Sequence, residues 1–139
     1  MIDKRIVENI FHNLDGYLEQ LHRLAALEPD AFMDDPLMTG AAKYYLQVAI
    51  ESCIDLANHF IARQGYRAPQ SYADSFTILA ENHIVPEDFL PTLQKMARMR
   101  NRLVHLYWEI DADILYMTLQ NHLDDFTRFE KYIYDSIRQ

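Results

Sequence analysis

The run Arg100-Asn101-Arg102-Leu103-Val104-His105-Leu106-Tyr107 gathers, within one short stretch, the side chains that phosphate chemistry needs. Arginine offers a planar fork of N–H donors that matches phosphate oxygens. Histidine gives or takes a proton near neutral pH. Asn101 adds an amide beside the arginine, and Tyr107 a phenolic hydroxyl just past the histidine. A guanidinium, an imidazole and an amide so close together suggest a site that grips a phosphate and moves a proton.

Such groups work only if an element holds them. Helical periodicity dominates the chain, with no convincing period-two strand. A first helix is expected from about Asp3, a plausible N-cap, to Leu27, on the apolar positions Ile6, Ile10, Leu14, Tyr17, Leu18, Leu21, Leu24 and Ala25. Pro29 and Pro36 bracket an irregular acidic link. A second helix starts near Thr39 or Gly40 and ends at Gly65, a good C-cap residue. Ser71, with Asp74 three residues on, opens a short helix to about Asn82. After a turn at 86–89, the motif helix runs from Leu90 to Tyr107. A last helix, capped by Asp111 or Asp113, continues through Ile137 with Leu115, Leu119, Leu123, Phe126, Phe129 and Ile133 inward. The expected fold is all-α, an antiparallel helical bundle of four long helices plus one short helix, forming a single domain over 1–139.

On the motif helix each residue turns about 100°. Met96, Met99, Leu103, Leu106 and Tyr107 then form an apolar, core-facing stripe. Arg98, Arg102 and His105 lie roughly opposite, and Asn101 is one turn from His105. Arg100 falls at the rim of the stripe beside Val104, about 140° from His105. That rim mixes small, apolar and polar groups, which suits an interface. If two copies pack across it, a two-fold composite cleft results.

The bulk composition constrains the setting. With 139 residues, half of them hydrophobic, and only 3 Gly and 5 Pro, the chain can bury one core and is not disordered. The net charge of −8 argues against a general nucleic-acid coat. Yet Lys95, Arg98, Arg100 and Arg102 lie between Phe89 and Trp108 with no acid among them. An acidic body with one basic helix can hold a phosphate chain locally through Lys95, Arg98 and Arg102; the alternative is that these charges only solubilise a helix face. The lone Cys53 cannot form an internal disulfide and reads as a core thiol. A cytoplasmic protein with no membrane span is expected.

Arg100, four intervening residues, His105, one residue and Tyr107, with Asn101 directly after the arginine, resemble the signature of HEPN-domain ribonucleases, specifically the HepT-type toxins of toxin–antitoxin systems. The stretches Tyr45 to Glu51, Asp55 to His59, Ser71 to Phe76, and Glu109-Ile110-Asp111 fit the same family. Ala97 stands near the place where a small residue, often Gly, commonly precedes the family's arginine. The resemblance spans about residues 40 to 115. It implies a metal-independent endoribonuclease that works as a homodimer and needs no cofactor. In that reading His105 is the general base or acid, Arg100 holds the scissile phosphate, and Asn101 positions the phosphate or the attacking hydroxyl. The resemblance also implies a partner, a nucleotidyltransferase antitoxin that silences the toxin by transferring AMP to Tyr107. A tRNA substrate is a family-based expectation.

Other constellations are weaker. Glu51, Asp55 and His59 share a helix face and could ligate a divalent metal. Such a trio more often forms a polar face between helices, and no metal site is expected. His12, His22, His83 and His122 read as surface or helix-end residues. Tyr132 and Tyr134, with Phe126 and Phe129, read as core or dimer contacts. The rival functions are a non-catalytic helical substrate-binding subunit complementing a separate nucleotidyltransferase, and a purely structural bundle.

Overall fold

A computed structural model of the protein describes residues 1–138. Seven α-helices follow one another: α1 Lys4–Ala25, α2 Pro29–Met33, α3 Pro36–Gln64, α4 Tyr72–Glu81, α5 Leu90–His105, α6 Ala112–Asn121 and α7 Leu123–Arg138. Short 3₁₀ turns precede and follow α5, at Glu87–Phe89 and Tyr107–Glu109. There is no strand among the described residues, as the all-α expectation required. No helix among them is long and apolar enough to cross a membrane.

The Asp3, Ser71 and Gly65 signals act as expected, whereas Asp111 stands at the head of α6 without a side-chain cap hydrogen bond. The Asp3 carboxylate accepts from the Arg5 and Ile6 N–H groups at the start of α1. Ser71 Oγ accepts from Asp74 N–H and opens α4. Gly65 ends α3 with a left-handed φ of 69°, a conformation a side chain would strain.

α3 is the axis of the bundle. It runs against α1, α4, α5, α6 and α7, and its buried residues, including Leu46, Ile50, Cys53, Leu56, Ala57 and Phe60, fall on nearly every side. It begins earlier than the periodicity suggests. Asp35 accepts from Leu37 N–H, and Pro36 occupies the first helical turn, where its missing N–H costs nothing. The acidic link is not irregular throughout. Pro29 starts the short α2, which buries Phe32 completely with its ring 5.6 Å from that of Tyr116.

Two boundaries differ near the motif. The last helix is split, because the chain leaves helical geometry at His122 (φ −125°, ψ 4°) before α7 begins. Leu115, Leu119, Leu123, Phe126, Phe129 and Ile133 are all buried across the split. Their spacing stays helical through it, so apolar periodicity could not reveal the break. The motif helix ends at His105, since Leu106 adopts φ −138°. Met96 and Leu103 are buried as expected and Met99 is half-buried, but Leu106 and Tyr107 are exposed. In α1, Ile6 points outward and Val7 fills the core instead.

Candidate active site

Arg100 projects from α5 into a cleft between α3 and α4. Its Nε donates to Glu51 Oε2 at 3.0 Å, and Nη2 lies 3.0 Å from the same oxygen. The guanidinium carbon sits 4.7 Å from the Tyr72 ring centre, a cation–π contact from α4. Nη1 donates to Asn101 Oδ1 at 3.3 Å. The arginine is therefore fixed by an acid, an aromatic face and its sequence neighbour. Its side chain is only 16% exposed. Of the five N–H donors an arginine carries, these contacts leave part of the outer fork unused.

The cleft, of about 260 Å³, is completed by Ile54, Asp55 and Asn58. Asn58 Oδ1 accepts from the buried Ser75 hydroxyl at 2.8 Å, tying α3 to α4 behind the arginine. Burial, and then the like charge of Glu51, push the Asp55 carboxyl above its ordinary range.

The other motif residues face elsewhere. Asn101 and His105 are exposed on the outer side of α5, with His105 its last residue. Within one chain Arg100 and His105 do not share a pocket; helical pitch separates them by about 7.5 Å and about 140°. Lys95, Arg98 and Arg102 are exposed. Among the described residues none of the three is paired with a carboxylate. Tyr107 is 55% exposed, its ring 5.4 Å from Trp108 and nearly perpendicular to it. Lys43 Nζ donates to the Tyr107 carbonyl at 3.0 Å and fastens this turn to α3. The core-aromatic alternative for Tyr107 is thus excluded, because the helix ends before reaching it.

The polar trio on α3 divides. Glu51 is committed to Arg100, while His59 Nε2 accepts from the Asp3 N–H at 3.0 Å, at the head of α1. Sequence reasoning missed Glu51, Tyr72 and Lys43 as partners of the motif. The signal available was the absence of any acid on the motif helix: a half-buried arginine needs its counter-ion from another element.

The model of the ribonuclease HepT-like family matches residues 14–133. This chain belongs to that family. As a HepT-like ribonuclease it is an endoribonuclease, in agreement with the motif. It is 40% identical over 98 residues to the mRNA nuclease HepT of Shewanella oneidensis, spanning 70% of this chain and 74% of that protein. To the tRNA nuclease HepT of Aphanizomenon flos-aquae it is 22% identical over 134 residues, 95% of this chain and 90% of the other. The HepT-like fold also superposes on the tri-AMPylated HEPN toxin of Shewanella oneidensis in complex with its MNT antitoxin. There the TM-score is 0.86 at 32% identity, over 94% of this chain and 97% of that one. A toxin–antitoxin crystal structure with AMP-PNP matches at a TM-score of 0.88 and 31% identity, over 94% and 98% of the two chains.

Proposed function

We propose that this HepT-like ribonuclease is a cytosolic toxin that cleaves RNA without a metal ion and is silenced by AMP transfer to Tyr107 from a nucleotidyltransferase antitoxin. The observation that carries the reading is the Arg100 guanidinium, immobilised by Glu51, Tyr72 and Asn101 on the helix whose outer face bears unpaired cations.

RNA brings its own nucleophile, the 2′-OH. His105 takes the proton as the 2′-oxygen attacks phosphorus, and the bond from phosphorus to the 5′-oxygen breaks. The departing 5′-oxygen receives a proton, leaving a 2′,3′-cyclic phosphate and a free 5′-hydroxyl. Arg100 neutralises the charge that builds on the non-bridging oxygens, and Asn101 orients the phosphate or the hydroxyl. Lys95, Arg98 and Arg102 hold the flanking backbone. Since Arg100 and His105 of one chain face apart, the reactive set is assembled in a homodimer, the arginine of one protomer meeting the histidine of the other.

The exposed Tyr107 hydroxyl is open to modification, and the Lys43 contact keeps its turn in one place. An adenylyl group there sets negative phosphate and a bulky nucleoside two residues from His105, occupying the path of the RNA and neutralising its cations. The modified HEPN toxin of Shewanella oneidensis supports this reading. The relatives named as mRNA and tRNA nucleases make both RNA classes substrates to test.

The test is cleavage of total RNA in EDTA, with end sequencing. Cleavage is expected to fall roughly 10²–10⁴-fold in His105→Ala, and comparably in Arg100→Ala, with the fold retained by circular dichroism. Co-production with a nucleotidyltransferase antitoxin should add adenylyl mass that Tyr107→Phe removes. Nucleotide turnover by the complex without RNA cleavage would instead identify a non-catalytic subunit and overturn the toxin reading.

A further inference from the structure

The split between α6 and α7 opens a second cavity, of about 450 Å³, on the edge of the cationic face of α5. Its floor is apolar: Leu46 and Ile50 from α3, Met96 from α5 and Phe126 from α7. Its rim carries polar groups of defined chemistry. Asn121 ends α6 and makes no side-chain hydrogen bond among the described residues. Asp125 is fixed by His122, whose Nδ1 lies 3.2 Å from its Oδ2. Lys95 stands on the opposite rim, at the head of the unpaired series Lys95, Arg98, Arg102.

We infer that this cavity receives an unpaired adenine of the RNA substrate and fixes where the strand is cut. The inference rests on the ribonuclease reading and adds a specificity site to it. Three features select the occupant. An apolar floor suits the flat face of a base, without choosing among bases. A primary amide can donate to adenine N7 and accept from its N6 amine, and a carboxylate can accept from the same exocyclic amine. Lys95 supplies the charge for the phosphate of that nucleotide, while the cations beyond it lead toward His105. Guanine presents an oxygen where adenine has an amine, and so meets Asp125 as acceptor against acceptor.

The spacing makes a further demand. Lys95 and His105 are about 15 Å apart along the helix axis, and one strand advances roughly 3.4 Å per stacked nucleotide. An adenine in the cavity therefore lies roughly two to four nucleotides from the scissile link, the lower end applying to a stretched strand.

The experiment has two arms. In the first, the intact protein cuts a random-sequence RNA oligonucleotide pool and the ends are sequenced. Adenine is expected at one fixed position, roughly two to four nucleotides from the cut. Asn121→Ala should lower that preference about 5- to 100-fold, and replacing the adenine by inosine should do the same in the native protein. Cleavage with no positional base preference, or a preference unchanged in Asn121→Ala, overturns the inference. The second arm does not need cleavage. His105→Ala is titrated with labelled oligoadenylate and oligouridylate, and tighter binding of oligoadenylate, lost on adding Asn121→Ala, supports the site even if no RNA is cut. Equal binding of both oligomers overturns it. So does free AMP competing as well as oligoadenylate, which would make the occupant a mononucleotide. Dissociation of the dimer in Met99→Glu would show the cavity to be a contact between copies, and likewise overturns it.

Discussion

Glu51 and Arg100, on different helices and far apart in sequence, share one carboxylate oxygen: Oε2 stands 3.0 Å from both Nε and Nη2. The pairing holds the guanidinium between α3 and α4 with its outer edge toward the cleft. Glu51 is thus a positioning residue for the phosphate-binding group. Glu51→Ala should lower RNA cleavage about 100-fold, the scale of a misplaced catalytic group. Glu51→Gln, which still accepts from Nε, should retain a larger share. Stability should fall by roughly 1–3 kcal/mol in Glu51→Ala, because the mostly buried Arg100 guanidinium loses its carboxylate partner. Cleavage rates and urea midpoints of the two variants separate positioning from folding. Equal activity of both variants with the native protein would remove the role.

Glu130 provides a pH test. It lies half-buried between α7 and α1, and burial, then a hydrogen bond with Asp15, raises its carboxyl to about 8 from an ordinary 4.5. The fold therefore favours its protonated form. The stabilisation is full below the ordinary value and is lost as pH rises toward about 8. Glu130→Gln should flatten the stability profile over that interval and raise the melting temperature at the alkaline end. Melting curves across the pH range check this, and an unchanged slope would refute it.

Arg67 gives the opposite slope. It bridges Asp74 at 2.8 Å and Glu81 at 2.7 Å, pinning the turn after Gly65 to α4. The guanidinium lowers Asp74 to about 2 from 3.8, so this contribution is present above the ordinary value and is lost as pH falls toward the lower one. Arg67→Ala should speed proteolysis of the 66–71 turn at neutral pH a few-fold, with little effect on cleavage of RNA. Equal cutting rates in the two proteins would show that the clamp does not restrain the turn.

Phe129 lies fully buried, its ring 5.7 Å from that of Phe76 and edge-on to it. This contact closes α7 over α4. Phe129→Ala should cost roughly 3–5 kcal/mol by lost transfer energy and the cavity left behind, read from denaturant midpoints.

Cys53 is fully buried, and desolvation, then the charges of Glu130 and Asp55, hold its pKa well above the ordinary value. A thiol kept in that form is a poor nucleophile, which agrees with its reading as core.

Local rules were enough for much of this molecule. Helix content, the Asp3, Ser71 and Gly65 boundaries, the inward face of the last two helices and the Arg100-to-Tyr107 motif all depend on neighbours within a turn or two. Caps and apolar spacing act at that range, so they were legible in the chain. The partners of the motif were not. Glu51 meets Arg100 across 49 residues and Lys43 meets Tyr107 across 64, distances that only the packing of α3 against α5 closes. The same holds for the split at His122, whose inward residues keep helical spacing and so conceal it. Local sequence decided which side chains can do chemistry, and tertiary packing decided which way each one faces, because a helix fixes the angle between two residues but not the surface each will meet.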